Sequence, residues 1–277
     1  MSKMKSDFRR MLLRLPPNRQ DYTAIGIIAE LASSLGIGLI GTYVEDSRVR
    51  GLADLPNARE FRGGSWQPFS TAQFARDMAT AAREAERLFL ENAGPHKPAL
   101  SFSVTRALAD DLREAYPDDI VVVIEPNSAV ERVTHQFNEL LEAAFRSTSS
   151  ILLVPGHAKR LLGPIIVLAS APSDPGITAA LAMAASTGER LTLVSLEAPV
   201  DALSPVLERA KRAGIAFALA EAAVQDGRIL LPAHVRGRLL IMSRGRSTQQ
   251  PRLPGTPILL ISPDGVRGDE PDRGQAA

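Results

Sequence analysis

Residues 24–45, AIGIIAELASSLGIGLIGTYVE, decide the fold. From Ala24 to Val44 they run 21 positions with one charge, Glu30, which is long enough to cross a bilayer. Ser33-Ser34-Leu35-Gly36-Ile37-Gly38, in the middle, reads instead as a helix stop followed by a strand start. A tight turn inside lipid would strand its backbone polar groups. The stretch is therefore expected to be a helix, a glycine, and a strand ending in Val44-Glu45. The same order returns in residues 177–197, ITAALAMAASTGERLTLVSLE, where Gly188 lies 152 positions after Gly36 and Glu197 follows the strand.

Outward from these two stretches, short runs of Val, Ile and Leu alternate with longer amphipathic segments, the pattern of buried parallel strands joined by helices. The first half predicts strands at Met11–Leu15, Leu39–Val44, Ala99–Val104, Ile120–Ile124 and Ile151–Val154. Helices are predicted at Asp21–Leu35, Ser70–Asn92, Arg106–Ala115 and Ala129–Arg146. For the last, Ser128 and Glu131 match a capping box, and Val130, Val133, Phe137, Leu140, Leu141 and Ala144 recur on one face. The second half predicts strands at Ile165–Leu168, Leu191–Leu196, Ile215–Leu219, Leu239–Met242 and Ile258–Ile261, with helices at Ile177–Thr187 and Ala202–Ala213.

The fold class is therefore α/β: two tandem, doubly wound, parallel five-stranded sheets, the second copy shortened. Residues 1–157 and 158–262 are the expected domains, and residues 263–277, rich in Gly, Pro and Asp, the expected disordered tail. Ile120 to Ile151 spans 31 positions whereas Leu239 to Ile258 spans only 19, so the second copy lacks room for the long last helix. It also lacks the excursion Asp46–Phe69, which Gly63-Gly64, Pro56 and Pro68 mark as irregular and exposed. Trp66, the single tryptophan, lies there with Phe61 and Phe69. The three rings read as a lid, as a contact for a partner, or as a cover for the following helix.

Composition narrows the function. The 277 residues suffice for about two domains. They contain no cysteine, which removes thiolate catalysis and Cys-ligated metals. The net charge is +1, and 18 Lys+Arg face 20 Asp+Glu in residues 1–150 against 14 and 11 in residues 151–277. Neither half has the charge of a nucleic-acid or anionic-membrane partner, so neither is expected. The N-terminal MSKMKSDFRRMLLR is basic, but charges interrupt any apolar core, so no signal peptide is expected. His96, His135, His157 and His234 have no local metal-ligand spacing, and no G-x-S-x-G, P-loop or post-strand G-x-G-x-x-G occurs. The pairs Asp110-Asp111 and Asp118-Asp119 read as solvated caps of elements.

The order of elements resembles the universal stress proteins in a tandem form: a strand, a helix ending in Gly, a strand ending in Val-Glu, and a last strand entered as Thr256-Pro257-Ile258. Residues 239–247, LLIMSRGRS, are similar to that family's fourth strand and its glycine loop. The resemblance implies a cytoplasmic, stress-linked role in regulation or interaction, without catalysis. It also implies a pseudo-dimer within one chain, mated through the final strands Ile151–Val154 and Ile258–Ile261, with a homo-oligomer or a protein partner possible beyond that.

ATP-binding members of the family use a G-x2-G-x9-G-(S/T) loop whose bare amides meet the phosphates. The first copy has Glu125, Ser128 and Asn138-Glu139 at those places, and a carboxylate there would repel a phosphate. No nucleotide is expected in the first copy. The second keeps Gly245 and Gly255-Thr256 with Met242 in the leading place, and adds Ser243, Arg244, Arg246 and Arg252. At the end of the first strand, where the family has an acidic residue, stand Pro16 and Ser170. Ser170 reads as a nucleotide donor or as a cap of the turn Ala169–Asp174. Ser170, Ser243, Gly245, Arg246, Gly255 and Thr256 are thus the candidate site for ATP or another adenine nucleotide, held weakly if at all. The competing reading is a small-anion or nucleotide hydrolase with its site in the second copy near Ser170 and Gly245.

Overall fold

In the computed structural model, which describes residues 8–15, 22–45, 55, 57–105, 115–158, 163–196, 199–225, 228–244, 253 and 255–263, Gly36 and Gly188 both adopt left-handed backbone, φ 69° and 70°. Only glycine enters that region without strain, so each ends its helix and turns the chain into a strand. The first half runs β1 (Arg10–Arg14), α1 (Thr23–Leu35), β2 (Gly38–Val44), β3 (Arg59–Arg62), β4 (Ser65–Pro68), α2 (Thr71–Ala93), β5 (Leu100–Thr105), β6 (Asp119–Glu125), α3 (Ala129–Arg132), α4 (His135–Arg146) and β7 (Ser150–Pro155). The second runs β8 (Ile165–Ala169), α5 (Pro175–Thr187), β9 (Leu191–Ser195), α6 (Ser204–Arg212), β10 (Phe217–Glu221), β11 (Ala223–Gln225), β12 (Arg228–Leu230), β13 (Leu239–Ser243) and β14 (Ile258–Ile261).

The two expected five-stranded sheets are the halves of one ten-stranded sheet, ordered β10-β9-β8-β13-β14-β7-β6-β1-β2-β5. Each half is parallel throughout. At the centre β7 and β14 meet antiparallel, with Leu152 opposite Leu259. Ile151–Val154 and Ile258–Ile261 are therefore the mating strands, and neither final strand is left as an open edge.

Both faces of the sheet are covered, which is why the strands read as continuous apolar runs. Ile120, Val122 and Ile124 of β6 join the core under α1 and α5, whereas Val121 and Val123 join the core with Ala144 of α4. α1 buries eight of its side chains, among them Ile25, Ile28 and Leu31. Its apolar length thus serves contact with protein, and among the described residues no helix is long and apolar enough to cross a membrane.

Several sequence expectations need correction. The helix expected over Ala129–Arg146 is broken. Thr134, in extended backbone, donates its hydroxyl to the Glu131 carbonyl at 2.7 Å and accepts from the Phe137 amide at 3.4 Å, starting α4 afresh. Ser128 makes no side-chain cap, and Val130 and Val133 are each 74% exposed instead of lying on the core face. Most described residues of the excursion are exposed, but its part from Arg59 to Pro68 is a regular antiparallel hairpin turned by Gly63 and Gly64 at positive φ. A second hairpin, β11–β12, was not anticipated; its Ile229 and the nearby Val235 cover the sheet face that α4 covers in the first half. Residues 106–114 of the expected helix Arg106–Ala115, residues 46–54 of the excursion and residues 264–277 of the expected tail lie outside the described residues.

Candidate functional site

In doubly wound sheets ligands settle at the carboxyl ends of the strands, where the strand order reverses. In the second half that place lies between β8 and β13, whose ends stand side by side with Met242 opposite Leu168. Ser170 follows β8 and Ser243 ends β13, so the structure brings these two candidates together.

Between them stands Asp174, which the sequence reading passed over. It is 3% exposed and caps α5, accepting from the Gly176 amide at 3.0 Å, and the Ser243 hydroxyl donates to the same Oδ1. Its other oxygen is 3.5 Å from the Ser170 amide. The carboxylate thus takes the donors that an anionic ligand would need, at the positive end of a helix, where negative charge is favoured. The signal for it was local: Asp174-Pro175-Gly176 is a cap residue followed by proline at the first helical position. Asp174, and not Ser170, holds this turn.

The other candidates lie elsewhere. Because β13 and β14 are parallel, with Leu240 opposite Ile258, Gly255 and Thr256 sit at the amino end of the sheet, away from Ser170 and Ser243. Gly255 turns at φ 74°, the Thr256 amide donates to the Leu253 carbonyl at 3.0 Å, and its hydroxyl donates to the Gly237 carbonyl at 3.2 Å. Gly-Thr-Pro here is a strand entry. Gly245, Arg246 and Arg252 lie outside the described residues, as does Pro16.

In the sequence Arg244 stands among arginines that could hold an anion or lie in a solvated surface loop. Instead its guanidinium reaches into the first half and donates to the carbonyls of Ser147 at 2.6 Å, Ser149 at 2.9 Å and Phe145, closing the carboxyl end of α4. Burial lowers its pKa from the ordinary arginine value. A cation at that helix end meets the carbonyls that the helix leaves unbonded.

In the first half the places of the nucleotide loop hold other structure. Glu125 ends β6, its carbonyl accepting from the Gly156 amide at 2.9 Å. Asn138 and Glu139 lie inside α4. Asp119, read as a solvated cap, is fully buried and forms a two-point ion pair with Arg10 at 3.0 and 3.1 Å, while also accepting from the Tyr116 amide at 3.0 Å. Among the described residues no group of His, Asp and Glu is arranged to hold a metal.

No family model matches the sequence, and no curated protein is similar to it at the level of sequence. Solved structures do match in fold. A universal stress protein from Archaeoglobus fulgidus is similar with a TM-score of 0.60 at 12% identity, over 96% of this chain and 98% of that one. The cytoplasmic domain of a prokaryotic cation chloride cotransporter is similar with a TM-score of 0.53 at 10% identity, over 94% of this chain and 97% of that one. At such identities the likeness concerns the fold: a universal stress protein-like α/β sheet extending along nearly the whole chain.

Proposed function

We propose that this chain is a tandem universal stress protein-like protein, with residues 1–157 and 158–262 as its two units, which acts in the cytoplasm by regulation or interaction and does not turn over nucleotide. The observation that carries this reading is the buried Ser243–Asp174–Gly176 hydrogen-bonded set at the reversal point of the second half. A phosphate oxygen set about 4 Å from that carboxylate would meet a repulsion of about 4 kcal/mol per unit charge at an effective dielectric of about 20. In the first half, Glu125 at the end of β6 and the helical placing of Asn138 and Glu139 argue the same way. One fold neighbour is the cytoplasmic domain of a prokaryotic cation chloride cotransporter, which is in keeping with a role in interaction.

The test is the thermal midpoint of the purified protein with and without millimolar ATP, ADP or AMP and magnesium, because a ligand bound only by the native state must raise it. The expected result is no shift with any of the three. A clear rise that disappears in Gly245→Glu would sink this reading and restore a nucleotide or hydrolase site in the second half.

A further inference from the structure

We infer that the tip of the β3–β4 hairpin seats in an anionic lipid surface. Phe61 and Trp66 stand opposite each other across the hairpin, their rings edge to face with centroids 5.5 Å apart, and each is 64% exposed. Alternation along the strands puts the opposed pair Arg59 and Pro68 on the same face, and both are exposed. Glu60 falls on the other face. The rings thus lie next to the Gly63-Gly64 turn, with Arg59 behind them at the base of the ribbon.

The base is held. The Phe69 amide donates to the Ala58 carbonyl at 2.8 Å, and the Ser70 hydroxyl caps α2 by accepting from the Gln73 amide at 3.3 Å. Phe69 before that cap packs on Phe74 after it, with centroids 5.6 Å apart. This is a hydrophobic staple, which sets the angle at which the chain enters the helix. All four residues of β4 are exposed, and α2 buries its first side chain at Ala82, so the hairpin and the helix start both stand clear of the core. Of the four rings here, two serve the staple and two face outward.

The size of the outward pair selects its partner. At roughly 150–250 Å² per aromatic side chain and 64% exposure, the two rings offer on the order of 250 Å². Gly63, Gly64, Ser65 and Gln67 around them add no apolar anchor. A specific protein contact takes about 800 Å² from each side, so a protein would find too little here. A bilayer asks for less: aromatic rings settle at the boundary of headgroups and chains, about 5–10 Å deep, without a shaped pocket. Each strand of four residues is about 13 Å long, so the tip reaches that depth while the sheet stays in water. Arg59, two residues behind Phe61, trails it by about 7 Å, at the level where an anionic headgroup supplies the opposite charge. The net charge of +1 gives little long-range attraction, so the contact is led by the rings and is reversible. It adds a surface to the interaction role proposed above, and the nucleotide test of that role does not touch it.

Trp66 is the single tryptophan, so its emission reports on the tip alone. Vesicles of mixed phosphatidylglycerol and phosphatidylcholine should shift that emission to the blue, and the protein should float with them in a density gradient. Phe61→Ser should weaken the partition on the order of ten-fold or more through lost apolar area. Arg59→Glu should weaken it about ten-fold on the mixed vesicles and leave partition into phosphatidylcholine alone unchanged. Both positions are exposed, so the far-ultraviolet circular dichroism spectrum should not change in either variant. Emission that no lipid concentration shifts would overturn the proposal, as would partition that Phe61→Ser leaves intact. Equal partition of the parent into pure phosphatidylcholine would overturn the choice of an anionic surface. A blue shift on concentrating the protein without lipid, with twice 29.7 kDa by light scattering, would overturn it too and make the rings a contact between copies.

Discussion

The first half steadies its fourth strand with an ion pair of its own, Arg10 to buried Asp119, whereas the second half sends Arg238, one residue ahead of its fourth strand, across to the first. Arg238 is 4% exposed; it pairs with Glu30 of α1, lies 3.5 Å from the Ser34 hydroxyl, and is 3.0 Å from Glu189 behind α5. Arg244, at the other end of the same strand, also reaches across, to the carboxyl end of α4. A half whose sequence lacks room for the long last helix thus leans on its neighbour at both ends of β13. The second half thus shares its arginine between its own Glu189 and Glu30 of the first half, whereas the Arg10–Asp119 pair lies within the first half.

The comparison is broken most severely at the amino end of β13. A Cβ on Gly237 would lie 2.4 Å from the backbone carbonyl oxygen of Pro164 and 2.8 Å from the Ile166 side chain, so the backbone itself would have to shift. Gly237→Ala is expected to cost about 4 kcal/mol in urea denaturation, at the upper end of overpacking effects. In the first half, Gly26→Ala meets only ordinary contacts, His96 at 3.5 Å and the Asn92 carbonyl oxygen at 3.7 Å, and should stay within about 1 kcal/mol of the parent. Equal losses at the two sites would refute the tighter seating of the second half.

Next in size is the clamp itself. Arg238→Met leaves Glu30 and Glu189 half-shielded without their cation, and should cost about 3 kcal/mol. The more telling readout is cooperativity. The parent should melt in one calorimetric transition and Arg238→Met in two, the second half first. A single transition in both would mean that the β7–β14 pairing alone couples the halves.

Much of this architecture was legible because it is written locally. Apolar runs gave the strands, and two glycines at an offset of 152 gave the repeated helix ends that φ 69° and 70° bear out. The hairpins carried signals as well: Gly63-Gly64, a two-residue turn of the kind that joins antiparallel strands, lies between β3 and β4, and the dipeptide Asp-Gly at 226–227 lies in sequence between β11 and β12. As the mark of an irregular excursion, Gly63-Gly64 indicated the turn but not the strands beside it. The break at Thr134 was hidden for the opposite reason: apolar periodicity runs through it while a single hydroxyl ends the helix. At the site, the G-x9-G-T spacing competed with the reading of Gly255-Thr256-Pro257 as a strand entry, and the Thr256 hydroxyl bonded to the Gly237 carbonyl at the amino end of β14 agrees with the strand entry. The roles of Arg238 and Arg244 depend on how two halves distant in sequence meet, and no local pattern encodes that.

A smaller effect sharpens the contrast at the helix starts. α5 is capped by Asp174 whereas α1 starts at Tyr22 with no side-chain cap. Asp174→Ala should cost about 1.5 kcal/mol, and Ser243→Ala, which removes one of the donors to the same carboxylate, about 1 kcal/mol. If the two losses add fully in the double variant, the hydroxyl and the carboxylate are not coupled, and the closed crevice loses its physical basis.

The smallest effect separates two positions related by the 152-residue offset, Tyr43 at the end of β2 and Ser195 at the end of β9. Burial, and then the charge of Glu45, raise the Tyr43 pKa above the ordinary 10.0. The sign follows from which form the fold prefers: a phenol whose pKa is raised on folding stabilises the native state below the unfolded value, and that contribution is lost as the pH rises through the folded value. Absorbance at 295 nm should therefore show a late-ionising tyrosine in the folded protein that is absent from Tyr43→Phe and, in urea, merges with the rest. Stability should fall slightly more steeply in alkali for the parent than for Tyr43→Phe. Because Ser195 does not titrate in this range, any alkaline loss traced to Tyr43 belongs to the first half. If the late step persists in Tyr43→Phe, its source is one of the other two tyrosines and the assigned burial of Tyr43 is refuted.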